Sequence, residues 1–267
     1  MSSTVLGATG FIGARLVAYL RAHGEEVFAP PRGSPEIFSR PLGRLYYCIG
    51  MTADYGRNPA ATFEAHSAYL VRLIAEASFD RIVYLSSTRL YDGLEDGDED
   101  AALPVSVNNP RHLYDLTKAL GEHFTLLHTA NRGMVARLSS VYDNASDATG
   151  FLPDLFRQLA AEKAFSLDST PNASRDYIHI DDVLAALVAL MTQGQAGSIY
   201  NVGSGENVSN AEMVDLINRR GWHVVLTRPV TPMAPSPRIH IDRLRTLGVE
   251  PRSTLDYLKN QLDGIAK

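Results

Sequence analysis

Tyr114 and Lys118 stand four residues apart in a stretch with helical periodicity, which puts both side chains on one face about a turn apart. A phenol with an ordinary pKa of about 10 becomes a useful acid or base near neutrality only when a neighbouring charge favours the phenolate, and the Lys118 ammonium is the expected source of that charge. With four lysines and twelve tyrosines in the chain, chance alone gives such a pair in about one sequence in five. Upstream, Tyr84-Leu85-Ser86-Ser87-Thr88-Arg89-Leu90-Tyr91 ends a strand-like run in hydroxyl residues. The C-terminal end of a parallel strand is where open sheets present side chains to ligands, so Ser87 is either a hydrogen-bond donor to a substrate carbonyl or part of a plain polar turn. Gly7-Ala8-Thr9-Gly10-Phe11-Ile12-Gly13 follows a short apolar run and opens a periodic stretch. Glycines there let the backbone turn tightly and approach a pyrophosphate, which the amides and dipole of the following helix attract: a dinucleotide site, although glycine triplets also occur in turns that bind nothing.

Positioning these groups requires alternating strands and helices. The hydrophobic pattern predicts strands over 4–6, 26–29, 45–49, 81–85, 134–138 and 198–202, and helices over 12–22, 61–77, 113–129, 152–162, 183–191 and 210–219. Such alternation implies an α/β fold, a Rossmann-like doubly wound parallel sheet flanked by helices. The later sequence, with a proline-rich stretch at 229–237, predicts a smaller C-terminal substrate-binding lobe. The expected organisation is interleaved: 1–142 plus about 176–203 for the dinucleotide, about 143–175 plus 204–267 for the substrate.

Composition narrows the class. With 45% hydrophobic and 21% charged residues and a net charge of −5, the chain lacks the basic surface that a nucleic-acid partner needs. No apolar run reaches the roughly 18 residues that span a bilayer, and a glycine turn so near the start leaves no room for a cleavable signal, so a cytoplasmic protein with no membrane partner is expected. Cys48, the single cysteine, excludes an internal disulfide and reads as a small buried residue. No metal site is expected: Asp181 or Asp182 reads as a helix N-cap, His179 as structural, and the acidic run 95–100 as a solvated loop.

In order and separation, the glycine turn, Ser87, Tyr114 and Lys118 resemble the extended short-chain dehydrogenase/reductase family, which includes nucleotide-sugar epimerases, dehydratases and reductases. Asn109-Pro110-Arg111-His112-Leu113-Tyr114, Arg137-Leu138-Ser139-Ser140-Val141-Tyr142, Arg175-Asp176-Tyr177-Ile178-His179-Ile180-Asp181-Asp182-Val183 and Tyr200-Asn201-Val202-Gly203-Ser204-Gly205 are similar to further signatures, as is Leu247-Gly248 followed by Pro251. The resemblance covers roughly residues 3 to 260, and motifs in the same order are unlike coincidence. It implies that Gly7, Gly10, Phe11, Ile12 and Gly13 line the pyrophosphate and that Ile49 and Gly50 border the nicotinamide. Tyr114 is then the proton donor or acceptor, Lys118 holds the nicotinamide ribose and lowers the Tyr114 pKa, and Ser87 polarises the substrate oxygen while a hydride passes between substrate and cofactor. Arg175 resembles an arginine that meets a substrate diphosphate, with an interlobe salt bridge as the alternative, and Ser140 stands at a substrate-side position usually held by asparagine. Pairing of the helices at 61–77 and 113–129 into a homodimer is also implied.

Several positions depart from the family pattern. The segment between the second and third strands is too short for another helix and strand, and no acidic residue ends the second strand. Arg32 stands there instead, either solvated or paired with a 2′-phosphate, which tilts the NAD or NADP choice toward NADP. His66 replaces the usual asparagine, Asp168-Ser169-Thr170 replaces a glycine-containing turn, and Thr88-Arg89 replace the acidic pair diagnostic of 4,6-dehydratases, which disfavours that subclass. The leading expectation is an NAD(P)-dependent oxidoreductase or epimerase acting on a hydroxyl or keto group of a nucleotide-linked sugar. The alternatives are an NADPH-dependent reductase of a smaller carbonyl compound and a non-catalytic cofactor-sensing protein of the same fold.

Overall fold

Consecutive core residues point to opposite faces of a central sheet. Val5 and Val83 enter one core with Leu16, Leu20, Leu187 and Leu190, whereas Leu6 and Tyr84 enter the other with Leu45, Leu70 and Leu73. Burial on both faces is why these strands read as near-continuous apolar runs, as parallel strands covered by helices must. The computed structural model describes residues 2–52, 54–145, 148, 150–232 and 236–265.

The N-terminal strands of the sheet are β1 (Ser2–Leu6), β2 (Glu26–Phe28), β3 (Arg44–Tyr47) and β4 (Arg81–Ser87). After a two-residue β5 (Asp96–Gly97), β6 (Gly133–Leu138) rejoins them. Outside the sheet lie β7 (Ser140–Tyr142), β8 (Ala164–Leu167) and β9 (Ser174–His179), and β10 (Ile199–Val202) forms its edge. The order is β10-β6-β4-β3-β1-β2, with every pairing parallel. Helices α1 (Phe11–Ala22), α2 (Pro59–Phe63), α3 (Tyr69–Glu76), α4 (Leu113–Leu127) and α6 (Ile180–Gln193) accompany it, with α5 (Phe151–Ala161) beyond β7. Between β2 and β3 there is only a single 3-10 turn at Pro35–Phe38, so the helix and strand expected of a full mononucleotide-binding half are missing there.

A second core packs Leu155, Phe156, Val208, Met213, Trp222 and Leu258. Its scaffold is α5, β11 (Asn207–Ser209), α7 (Asn210–Asn218), β12 (His223–Leu226) and the last helix, Thr254–Ile265. Strand order β11-β9-β7 and the parallel pair β12-β8 hold it together. The proline-rich stretch 229–237 lies partly outside the described residues. No helix among them is long and apolar enough to cross a membrane.

Four local expectations are corrected. The helix over 61–77 is interrupted by a π-helical turn at Glu64–Ala68, which carries His66 inward. Helix 113–129 ends at Leu127, because Ala130 and Asn131 adopt positive φ angles of 51° and 58°. The N-cap of α6 is His179, whose Nδ1 accepts the Asp181 amide at 3.2 Å; Asp181 and Asp182 lie in the first turn, where acids favour the dipole, and Asp182 holds Arg252 at 2.9 Å. The acidic run is not wholly solvated. Asp96–Gly97 pairs with Arg238–Ile239, and Glu99 is buried, accepting the Asn201 amide at 3.2 Å.

Candidate active site

The C-terminal ends of four adjacent strands carry the predicted residues. Gly7 follows β1, Ile49 and Gly50 follow β3, Ser87 ends β4 and Ser140 follows β6. Since β1 pairs with β2 on one side and β3 on the other, the glycine turn lies at the reversal of strand order, where a crevice opens in sheets of this kind. Gly7 has φ +81°, and a Cβ on it would meet the Cys48 carbonyl carbon at 2.8 Å; a Cβ on Gly13 would lie 2.3 Å from the Gly7 oxygen. Neither position accommodates a side chain. Gly10 is the N-cap of α1 and supplies no capping side chain, and no acidic residue stands in the first turn. The first amides of α1 are therefore left for an anion, and the residues present fit a dinucleotide pyrophosphate.

Tyr114, on the first turn of α4, is 5% exposed and lines the same cleft as the Ser87 side chain. Burial pushes its phenol up from the ordinary value; the Ser87 hydroxyl and then the Arg89 charge oppose the rise, while Asp115 adds to it. The cation on the ring is thus Arg89, with its guanidinium 4.9 Å from the centroid. Lys118, expected to supply a charge to Tyr114, donates to the Leu85 carbonyl at 2.8 Å and lies 4.9 Å from the Tyr84 centroid. Deep burial brings Lys118 down to about 7. A Cβ on Gly50 would sit 3.4 Å from its Nζ and 3.7 Å from His66 Nε2, so the backbone after β3 passes directly over the ammonium.

His66 is fully buried, with its ring edge-on to Tyr114 at 5.1 Å. Its Nε2 accepts the Met51 amide at 3.0 Å and its Nδ1 lies 2.8 Å from Thr117 Oγ1. The Thr117 hydroxyl donates to the Leu113 carbonyl at 2.9 Å, which leaves it accepting from an Nδ1–H tautomer. Desolvation first, then the Lys118 charge, lowers His66 to about 3, so it is neutral near pH 7. Burial raises the Cys48 thiol to about 12, which leaves it without nucleophilic character near neutrality.

Ser87, Tyr114, Ser140 and Arg175 share an open cleft of about 700 Å³, which continues past Ser140 and Arg175 into a second cavity of about 520 Å³ lined by Phe151 and Tyr177. Arg175, exposed on β9, makes no ion pair among the described residues, in contrast to the interlobe bridge considered above. Its neighbour Asp176 accepts the Ser204 and Gly205 amides at 2.8 and 2.7 Å, yet burial raises its carboxyl to about 6. Arg32 stands exposed in the turn after β2 and is not one of the residues lining the cleft. Sequence reasoning missed the roles of Arg89, Asp115 and Thr117; the one available signal was an arginine two residues beyond Ser87.

A glycine turn under a bare helix N-terminus, with a half-buried serine at a neighbouring strand end and a buried tyrosine and lysine on α4, defines a dinucleotide-dependent enzyme of the short-chain dehydrogenase/reductase class. Residues 45–203 match the model of the NAD dependent epimerase/dehydratase family. This chain belongs to that family. It is 26% identical over 262 residues to a dTDP-glucose 4,6-dehydratase of Streptomyces griseus, spanning 80% of this chain and 76% of that protein. A GDP-6-deoxy-D-mannose reductase of Pseudomonas aeruginosa is 28% identical over 240 residues, with 80% and 78% covered. Among solved structures, MoeE5 in complex with UDP-glucose and NAD superposes with a TM-score of 0.79 at 22% identity over 98% of both chains.

Proposed function

We propose that this chain is an NAD(P)-dependent epimerase or reductase that acts at a hydroxyl- or keto-bearing carbon of a nucleotide-linked sugar. The observation that carries the reading is that Ser87 and Tyr114 line one cleft together with Arg175, which is free of any carboxylate pair among the described residues. Ser87 orients the reacting oxygen, and Tyr114 gives or takes its proton. The nicotinamide, when bound, supplies or accepts the hydride. Gly7, Gly10, Phe11, Ile12 and Gly13 hold its pyrophosphate, Ile49 and Gly50 flank its ring, and Lys118 holds the ribose hydroxyls. Arg175 and Ser140 meet the substrate, since a planar guanidinium suits a diphosphate. Arg32 favours a 2′-phosphate because no acidic residue ends β2.

Thr88 and Arg89 put a hydroxyl and a cation where an elimination would need acids, which supports epimerisation or reduction over dehydration despite the dehydratase relative. The smaller lobe, 143–175 plus 204–267, is assigned to the substrate and the remainder to the cofactor. A cytoplasmic homodimer, formed through the face carrying the exposed Phe63, Leu120 and Leu127, completes the reading.

Titration calorimetry with NAD(H) and NADP(H) tests it, and failure of both to bind would overturn it. Nucleoside diphosphates should then raise the melting temperature, because a ligand selective for the folded state stabilises it. Tyr114→Phe should leave cofactor affinity unchanged and lower kcat by about 100-fold or more.

A further inference from the structure

Arg89 lies outside the serine, tyrosine and lysine set, yet it is tied to both cleft-lining members. Its backbone amide donates to the Ser87 hydroxyl at 3.2 Å, and its guanidinium covers the Tyr114 ring. Three fixtures hold the guanidinium there: Asp115 at 3.2 Å, the Tyr55 hydroxyl at 3.0 Å and the Arg111 carbonyl at 2.9 Å. Tyr55 closes a triangle of contacts, with its ring centroid 4.7 Å from the guanidinium and 5.5 Å from that of Tyr114, edge-on. Because the fork is held on several sides, it is oriented before any ligand arrives.

We propose that Arg89 is a positioning residue that adds a fixed positive charge beside the Tyr114 ring, beyond that of Lys118, and so stabilises the phenolate during turnover. This rests on the reading of Tyr114 as the proton-transfer group. Ser87 and Tyr84 face the phenol from β4, His66 from the π-helical turn, Tyr55 from the segment before α2, and Asp115 from α4 itself, where Lys118 follows one turn on. Asp92, Arg111 and His112 stand behind Asp115. Among the other basic side chains here, His66 is held neutral, and Lys118 is bound to the Leu85 carbonyl with the Tyr84 ring beneath its ammonium. A guanidinium keeps its charge throughout the range in which the enzyme works.

The test is direct titration of Tyr114 in protein carrying tyrosine labelled with carbon-13 at the ζ position, with the Tyr114 resonance assigned as the one lost in Tyr114→Phe. Arg89→Gln should raise its midpoint by about one pH unit or more, the size expected when an opposite charge within ~4–6 Å is removed. The limb of the kcat–pH profile that reports Tyr114 should move the same way, with kcat near neutrality down by about tenfold and the KM for the nucleotide substrate unchanged. Arg89→Lys, which restores the charge without the planar fork, should recover part of both. If Arg89→Gln loses its cooperative melt, Arg89→Met fills the same space without charge and is read identically. A Tyr114 midpoint that does not move in the uncharged variant overturns the role of Arg89. Undiminished turnover in Tyr114→Phe overturns the underlying reading instead.

Discussion

Lys118 is the residue at which function and stability pull apart. A buried ammonium with one carbonyl and one aromatic face for partners is poorly solvated, and its fall to about 7 expresses that cost. With an ordinary value near 10.5, the unfolded chain binds more protons than the folded one between about 7 and 10.5, so removing the charge should relieve the folded state most at and below neutrality. Lys118→Met should therefore raise the melting temperature of the cofactor-free protein at pH 6 to 7, corresponding to about 1 kcal/mol or more, while weakening cofactor binding. Differential scanning calorimetry and titration calorimetry check the two halves; a destabilised variant would contradict the desolvation account. Arg137 shows the opposite situation. Its buried guanidinium meets Glu122 with two hydrogen bonds, at 2.9 and 2.6 Å, and is therefore satisfied rather than held in reserve for chemistry.

At the scale of elements, the π-helical turn between α2 and α3 explains how a histidine occupies an asparagine position. The extra residue in the turn accompanies a fully buried imidazole whose two nitrogens both find partners, on Met51 and Thr117. Holding the Met51 amide ties down the segment that begins at Gly50 and crosses Lys118. The tie has a pH signature. Folded His66 titrates at about 3, against 6.5 ordinarily, so as pH falls below 6.5 the unfolded chain takes up a proton that the folded one refuses. Stability from this group is full above 6.5 and declines toward 3, by up to about 1.4 kcal/mol per pH unit. His66→Gln should flatten the decline relative to the parent when urea unfolding is compared at several pH values. Asp176, raised to about 6, works in the opposite direction over part of that range and cancels in the comparison because both proteins retain it.

For the whole molecule, the apolar surface on α2 and α4 is the feature with consequences beyond one chain. Phe63, Leu120 and Leu127 are 46%, 38% and 68% exposed, and the proposed dimer would cover them. Leu127→Glu should shift a dimer toward monomer in light scattering, leaving the cofactor affinity of the monomer intact. The same scale decides the substrate. Arg175 reaches the cleft because β9 pairs with β7 and β11 in the second core, while Ser87 and Tyr114 stand on β4 and α4 of the central sheet layer, so the cleft lies where the two packings meet.

The parallel architecture, the glycine turn and the spacing of Tyr114 and Lys118 were legible in the sequence because each is a short-range pattern: alternating apolar runs, a turn that only glycine permits, one helical repeat. The missing unit between β2 and β3 was legible too, from length alone. What remained hidden was which cation meets which ring. Arg89 and Asp115 are 26 residues apart, His66 and Thr117 are 51 apart, and the small antiparallel and parallel strands of the second core pair over similar distances. A charge acts through space, over a few ångströms, so its partner is set by how helices and strands pack. The four-residue spacing put Lys118 beside Tyr114 along one helix face, but only the folded chain shows the Leu85 carbonyl and the face of Tyr84 that hold the ammonium, and the Arg89 guanidinium that lies over the Tyr114 ring.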